Sequence, residues 1–191
     1  LSPRERAAYH RAMEELIVFH RASADRPEAQ VSLAAVYADL GQVDLALAAL
    51  ETALRLDPRF VPALVNLADL HRSLGQDARA EMLLRQAMDF APAAPEPPHL
   101  LGLILARQQR MPEALELLGR AARLGPDVPR FQYVYGIALH SAGRVSEAVT
   151  VLERAHERAP NDWDVLLALA TIERDRGRRK VAAAHARKLL A

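Results

Sequence analysis

The chain has 191 residues, with 25 Lys and Arg against 24 Asp and Glu, no cysteine and 51% hydrophobic residues. The missing cysteines exclude a disulfide framework, a thiolate nucleophile, a thiolate zinc site and thioether-attached haem in this segment, and a net charge of +1 argues against a dedicated nucleic-acid binder. Alanine and leucine supply 67 residues (37 and 30), a bias toward helix, and the longest apolar run, Leu100 to Ala106, falls far short of the ~20 residues of a membrane span.

The chain opens at Leu1 with no visible secretory signal, and reads as a piece of a longer protein. That leaves the compartment open: cytoplasmic by default, periplasmic if the parent chain is secreted. Residues 1–26 are expected to form a capping helix, or half repeat, with apolar positions at Ala8, Ala12, Leu16 and Phe19 packed on the first full unit.

From residue 27 the sequence repeats every 34 residues. Pro58, Pro92, Pro126 and Pro160 share one column, and Ala46, Ala80, Ala114, Ala148 and Ala182 another. Gly41, Gly75, Gly143 and Gly177 keep the same register, with Gln109 in the third repeat. Leu33, Leu67, Leu101, Tyr135 and Leu169 run beside the small residues Ala34, Ala68, Gly102, Gly136 and Ala170. Leu50, Leu84, Leu118 and Leu152 precede Ala53, Ala87, Ala121 and Ala155. The spacing predicts five units at 27–60, 61–94, 95–128, 129–162 and 163–191, forming one continuous domain.

Each unit reads as a helix pair, over about 28–40 and 43–56 in the first. The glycine between them supplies a left-handed helix end, and the proline after the second helix stops it. Small residues at fixed intervals let two helix backbones approach closely while leucines fill the grooves beside them. The proline-rich stretch from Pro92 to Pro98 keeps the register, so it is read as the first turn of a helix rather than a domain boundary. In the last unit, Glu173, Arg176 and Arg179 replace apolar residues and are read as the polar outer face of a terminal repeat.

The pattern Leu33-Ala34-x-x-Tyr37, Gly41, Ala46, Leu50, Ala53, Pro58, restated down the chain, resembles the tetratricopeptide repeat. The resemblance implies an all-α, right-handed solenoid of antiparallel helix pairs. It also implies a non-catalytic protein–protein interaction scaffold, with the first helix of each pair lining a concave groove. Residues 34 apart then form ladders: Val31, Val65, His99, Tyr133, Leu167; Ala35, Asp69, Leu103, Ile137, Thr171; Ala38, Arg72, Ala106, His140, Arg174; and Asp39, Ser73, Arg107, Ser141, Asp175. The candidate groove residues are Asn66, Asp69, Arg72, Leu103, Arg107, Tyr133, Ile137, His140 and Arg174. Such a wall suits a peptide with aliphatic side chains and one or two carboxylates that arginine can hold. Tyr133 and Arg72 are both assigned to an exposed inner wall.

The carboxylate-gripping set of some family members is not matched: Asn66 fits it, but Val31, Ala35, Glu96 and Leu100 fill the other places. No nucleotide-binding glycine loop, nucleophile elbow, zinc-protease motif or calcium loop is present, and no two histidines pair at helical spacing. No catalysis, cofactor or metal is therefore expected. The terminal unit from Trp163 carries a net +4, read as a solvated cap whose cations suit a helix C-terminus. A second reading is an accessory module of a larger secreted or redox chain. Short strings such as Tyr133 to His140 are similar to repeat tails of bacterial multihaem cytochrome-type proteins, although this segment has no haem-attachment motif.

Overall fold

The computed structural model describes residues 3–189, with side chains from residue 9 onward. The expectations for the Ala8 side chain and for the two residues at each end lie outside these. Among the described residues there are eleven helices and no strand. Backbone contacts group residues 1–92 and 93–191 into two compact units.

The first unit holds α1 (Pro3–Arg21), α2 (Pro27–Asp39), α3 (Val43–Leu56), α4 (Val61–Ser73) and α5 (Asp77–Phe90). Helices α2 and α3 form one hairpin, α4 and α5 the next, and α4 also packs on α3. Leu33, Ala34, Tyr37, Ala46, Leu50 and Ala53 are buried in the first hairpin, and Leu64, Leu67, Ala68, Ala80, Leu84 and Ala87 in the second. The alanines at 46, 53, 80 and 87 have no exposed surface. A larger side chain there has no room to enter.

The second unit holds α6 (Glu96–Arg107), α7 (Met111–Leu124), α8 (Pro129–Ser141), α9 (Val145–Arg158), α10 (Trp163–Asp175) and α11 (Arg179–Lys188), again as successive hairpins. The proline-rich stretch does open a helix, α6, whose first turn contains Pro97 and Pro98. Here glycine stands in the small-residue column, at Gly102 and Gly136. A methyl group built on Gly102 would lie 2.6 Å from Leu118 Cγ, and one on Gly136 would lie 2.7 Å from Leu152 Cγ. Gly119 makes room in the same way for the Tyr135 ring, 3.0 Å from where its Cβ would stand.

Each hairpin turns the same way. The residue after the bend donates its N–H to a carbonyl five residues back: Gln42 to Tyr37, Gln76 to His71, Arg110 to Leu105, Arg144 to Leu139 and Arg178 to Glu173, at 2.8–2.9 Å. This closure needs a left-handed residue just before the donor. Gly41, Gly75, Gly143 and Gly177 supply it at φ of 72–77°, and Gln109 is forced into it at φ 62°. Glycine adopts that conformation without a Cβ clash, so Gln109→Gly is expected to stabilise the chain by about 1 kcal/mol. A rise in urea midpoint at unchanged slope checks this; an unchanged midpoint contradicts it.

Two end readings are corrected. Helix α1 forms and packs on α2, and Arg21 donates to the Tyr37 hydroxyl at 3.0 Å. Its Ala12, Leu16 and Phe19 are exposed, however, Phe19 at 71%. They sit in the columns that α3 and α5 turn onto their own preceding helix, and no helix precedes α1 among the described residues. At the other end, Glu173 is not on an outer face: it is 1% exposed. It occupies the column of Tyr37, His71, Leu105 and Leu139, all buried. The register buries whatever stands there, and Arg176 at 2.7 Å and Arg178 at 3.5 Å neutralise the charge.

Candidate functional site

The first helix of each hairpin buries one face in the array and leaves another open. In the first unit this open face forms a hollow of about 370 Å³. Its floor is Ala34, Ala35, Ala38, Ala46 and Leu50, and its wall is Asn66, Asp69, Leu70 and Ser73 from α4. The floor is deep because alanine stands where longer side chains would fill the space. The wall is polar because the spacing i, i+3, i+4, i+7 turns one stripe of α4 toward the hollow. Apolar depth beside a few amide, carboxylate and hydroxyl groups is the general character of a binding site.

The sequence-predicted residues distribute unevenly. Asn66 and Asp69 line this hollow, and Arg72 sits beside them on α4. Arg72 is already engaged: its guanidinium binds Asp69 through Nε at 2.8 Å and Nη2 at 2.7 Å. Arg174 is likewise held by Asp175 at 2.9 Å. Carboxylate capture by either arginine would have to displace a bond already made. On the second unit, Leu103 and Arg107 lie on α6, half-buried and exposed respectively. Tyr133, Ile137 and His140 are half-buried on α8. Tyr133 is not a free wall residue: with Ile137 it packs on the cluster of Leu152, Val165, Leu169 and Ile172. Replacing it is therefore expected to cost stability, whereas an exposed wall residue would be replaced at little cost.

His99 departs further from its ladder. It is 4% exposed, its ring stands 4.8 Å from that of Phe131, and neither ring nitrogen has a hydrogen-bond partner. Burial, and secondarily the nearby Arg130, lower its pKa from 6.5 to about 4. Folding favours the neutral ring, so its contribution is complete above pH 6.5 and is lost as pH falls toward 4. The loss amounts to about 3 kcal/mol between pH 7 and pH 4. His99→Leu is expected to flatten the decline of melting temperature over that range. An unchanged pH profile would contradict it.

Sequence reasoning missed a histidine pair. His156 on α9 and His185 on α11 meet edge to face with ring centroids 5.7 Å apart, and the Lys188 ammonium donates to His156 Nε2 at 2.7 Å. Both rings titrate below the ordinary range, chiefly through burial and then through Lys188. The pair is brought together by the hairpin stack and has no signal in local spacing. Among the described residues, no three His, Asp or Glu side chains are arranged to hold a metal ion. No described helix is long and apolar enough to cross a membrane.

Stacked antiparallel helix hairpins, closed by one repeated left-handed turn and packed through columns of small residues, define an all-α repeat protein of the solenoid class. Tetratricopeptide repeat models match residues 37–104, 99–162 and 141–191, and the chain belongs to that family. No curated protein matches it. Among solved structures it is similar to PilF of Pseudomonas aeruginosa, at 22% identity and a TM-score of 0.78, over 89% of this chain and 77% of that one. It is also similar to MamA, at 21% identity and a TM-score of 0.70, over 81% of this chain and 90% of that one. YrrB, described as a TPR protein with an unusual peptide-binding site, aligns at 19% identity and a TM-score of 0.65, over 95% of this chain and 90% of that one. These likenesses establish the fold, and membership of the repeat family supports a protein–protein interaction module.

Proposed function

We propose that the chain is a non-catalytic scaffold that docks a segment of a partner protein on the open faces of its first helices, anchored in the α2–α3–α4 hollow. One observation carries the reading: an alanine-floored space of about 370 Å³ bounded by Asn66, Asp69 and Ser73, deep enough for an aliphatic side chain and polar where a peptide backbone would pass. The peptide-binding site described for YrrB supports it by analogy of fold. The corresponding faces of α6, α8 and α10, with Leu103, Arg107, Tyr133, Ile137, His140 and Arg174, are assigned the same role. Because Arg72 is held by Asp69, the anchor is the aliphatic group, and the partner's backbone amides are met by Asn66 and Asp69.

Selection of a displayed random-peptide library on the immobilised protein tests this. Enriched peptides are expected to share one aliphatic position and to bind Asn66→Ala and Asp69→Ala variants about tenfold more weakly, a change of about 1.4 kcal/mol. Asn66 is exposed, and Asp69 is half-buried in a solvent-accessible ion pair with Arg72, so melting temperatures should move little. No enrichment, or binding indifferent to both changes, overturns the assignment.

A further inference from the structure

In the second unit the repeat is broken at two positions that touch. Tyr135 stands in the column that elsewhere holds Leu33, Leu67, Leu101 and Leu169, and Gly119 in the column of Glu51, Arg85 and Glu153. The glycine admits the phenol, since a Cβ at 119 would lie 3.1 Å from the Tyr135 hydroxyl oxygen. Ala122 is likewise the short member of its column, which holds Leu54, Met88 and His156 elsewhere. These truncations leave a hollow of about 260 Å³ between α7 and α9, with Gly119, Ala122 and Val151 in its walls beside Tyr135. Arg123, Arg154 and Arg158 surround it, and no aspartate or glutamate among the described residues lines it. Arg158 is already engaged, donating to the Pro126 carbonyl at 3.2 Å and standing 3.7 Å from Asp127. The guanidinium groups of Arg123 and Arg154 and the Tyr135 hydroxyl make no ion pair or hydrogen bond among the described residues.

We infer that the α7–α9 hollow is a second docking site, which holds the acidic side chains of an extended segment of a partner protein. Charge selects the occupant: two unengaged guanidinium groups and a phenol converge on a space cleared of side chains, and a carboxylate there accepts charge-assisted bonds from them. The adjoining surface selects protein over nucleic acid. Tyr135 and Arg123 also line a space of about 490 Å³ whose other walls include Met111, Pro112, Leu115 and Ala142. That stretch suits an aliphatic side chain. It gives a phosphate backbone no free cation beyond Arg123, because its Arg144 is held by Glu147 at 2.6 Å and Glu116 repels anions. Met111 and Arg123 stand twelve residues apart on α7, about 18 Å, which about six extended residues span. A helix, about 10 Å across, is too wide for the hollow. The occupant is therefore a short segment with aliphatic side chains at one end and carboxylates at the other. The site shares no residue with the α2–α3–α4 hollow or with those assigned on α6, α8 and α10, and stands or falls without them.

The probes are labelled hexapeptides, blocked at both ends, with two leucines, two glycines and two glutamates in either order, titrated into the whole chain by fluorescence anisotropy. At least one order is expected to bind saturably with a Kd below about 1 mM, and about tenfold or more tightly than its glutamine counterpart. Arg123→Ala with Arg154→Ala should weaken it by about tenfold or more, whereas Arg26→Ala with Arg79→Ala, which removes the same charge elsewhere, should not. Tyr135→Phe keeps the ring against Gly119 and removes only the hydroxyl, for a loss of about threefold. The substituted arginines are exposed, so both double variants should keep their helical circular dichroism and melting temperature. Failure of both peptide orders to bind overturns the inference, as does equal binding of the glutamine peptides. Equal loss in the two arginine pairs, or none in Tyr135→Phe, overturns it too. A labelled single-stranded DNA is the remaining arm: tighter binding than the peptides, lost with Arg123 and Arg154, would assign the site to phosphate and overturn the choice of a protein segment.

Discussion

Leu152→Ala is expected to remove about 2–5 kcal/mol of stability, the range for a fully buried leucine whose surroundings cannot collapse. Leu152 has no exposed surface and sits among Val149, Ala155, Val165, Ala168, Leu169 and Ile172. Those neighbours belong to α9 and α10, two helices whose separation is set by many other contacts, so the cavity stays open. On its other side Leu152 lies over Gly136, close enough that a Cβ there would stand 2.7 Å from Cγ and 2.9 Å from Cδ2. The converse change, Gly136→Ala, should therefore overpack and cost about 1–3 kcal/mol. The two sites should couple: a shorter side chain at 152 relieves the added methyl at 136, so the double variant is less damaged than the two losses combined. At a few degrees of melting temperature per kcal/mol for a chain of this size, Leu152→Ala alone should lower the transition by about 5–15 °C. Thermal unfolding followed by circular dichroism reads this directly. A loss below about 1 kcal/mol would mean that the column does not carry the packing assigned to it.

Arg176→Ala should cost about 3 kcal/mol, because it strips the nearer cation from a carboxylate that cannot reach water. Glu173 is 1% exposed and accepts from Arg176 at 2.7 Å, whereas Arg178 stands at 3.5 Å and is itself mostly in solvent. Arg178→Ala should accordingly cost under about 1 kcal/mol. The distinguishing result comes from the carboxylate. Glu173→Met replaces the buried ion with an apolar side chain in a column that holds leucine at 105 and 139, and should be neutral or stabilising. Urea denaturation of the three variants separates these outcomes. A severe loss in Glu173→Met, or none in Arg176→Ala, would contradict the ion-pair account.

What was readable beforehand divides along physical lines. Periodicity carried the helix pairs, the small columns and even the odd turn at Gln109, because each depends on residue type at a fixed interval. The buried position of Glu173 was implied by the same column, yet a charged residue at an end reads as solvated unless the register is given more weight than polarity. Asp69 and Arg72 are neighbours at helical spacing, and their pairing was visible in principle. His99 was assigned to the open wall by its ladder, but Phe131 covers it through a tertiary contact that periodicity does not contain. The His156–His185 pair was invisible for the same reason. Its members sit on different helices, α9 and α11, and meet only after α10 and α11 have folded back. Tyr133 shows the limit most plainly: its ladder reads as an open wall, while how much of its ring the α9–α10 cluster absorbs was decided by packing.

The reading of the α2–α3–α4 hollow as the anchor of a partner segment is tested most directly by filling it. Ala35 lines the hollow but is exposed, so Ala35→Trp occupies the space without entering the buried columns. Calorimetric titration of a library-selected peptide against the unaltered chain and this variant is the measurement. Affinity should fall at least tenfold while the melting temperature stays within a few degrees. Equal affinity in a variant that remains folded would place the docked segment somewhere else.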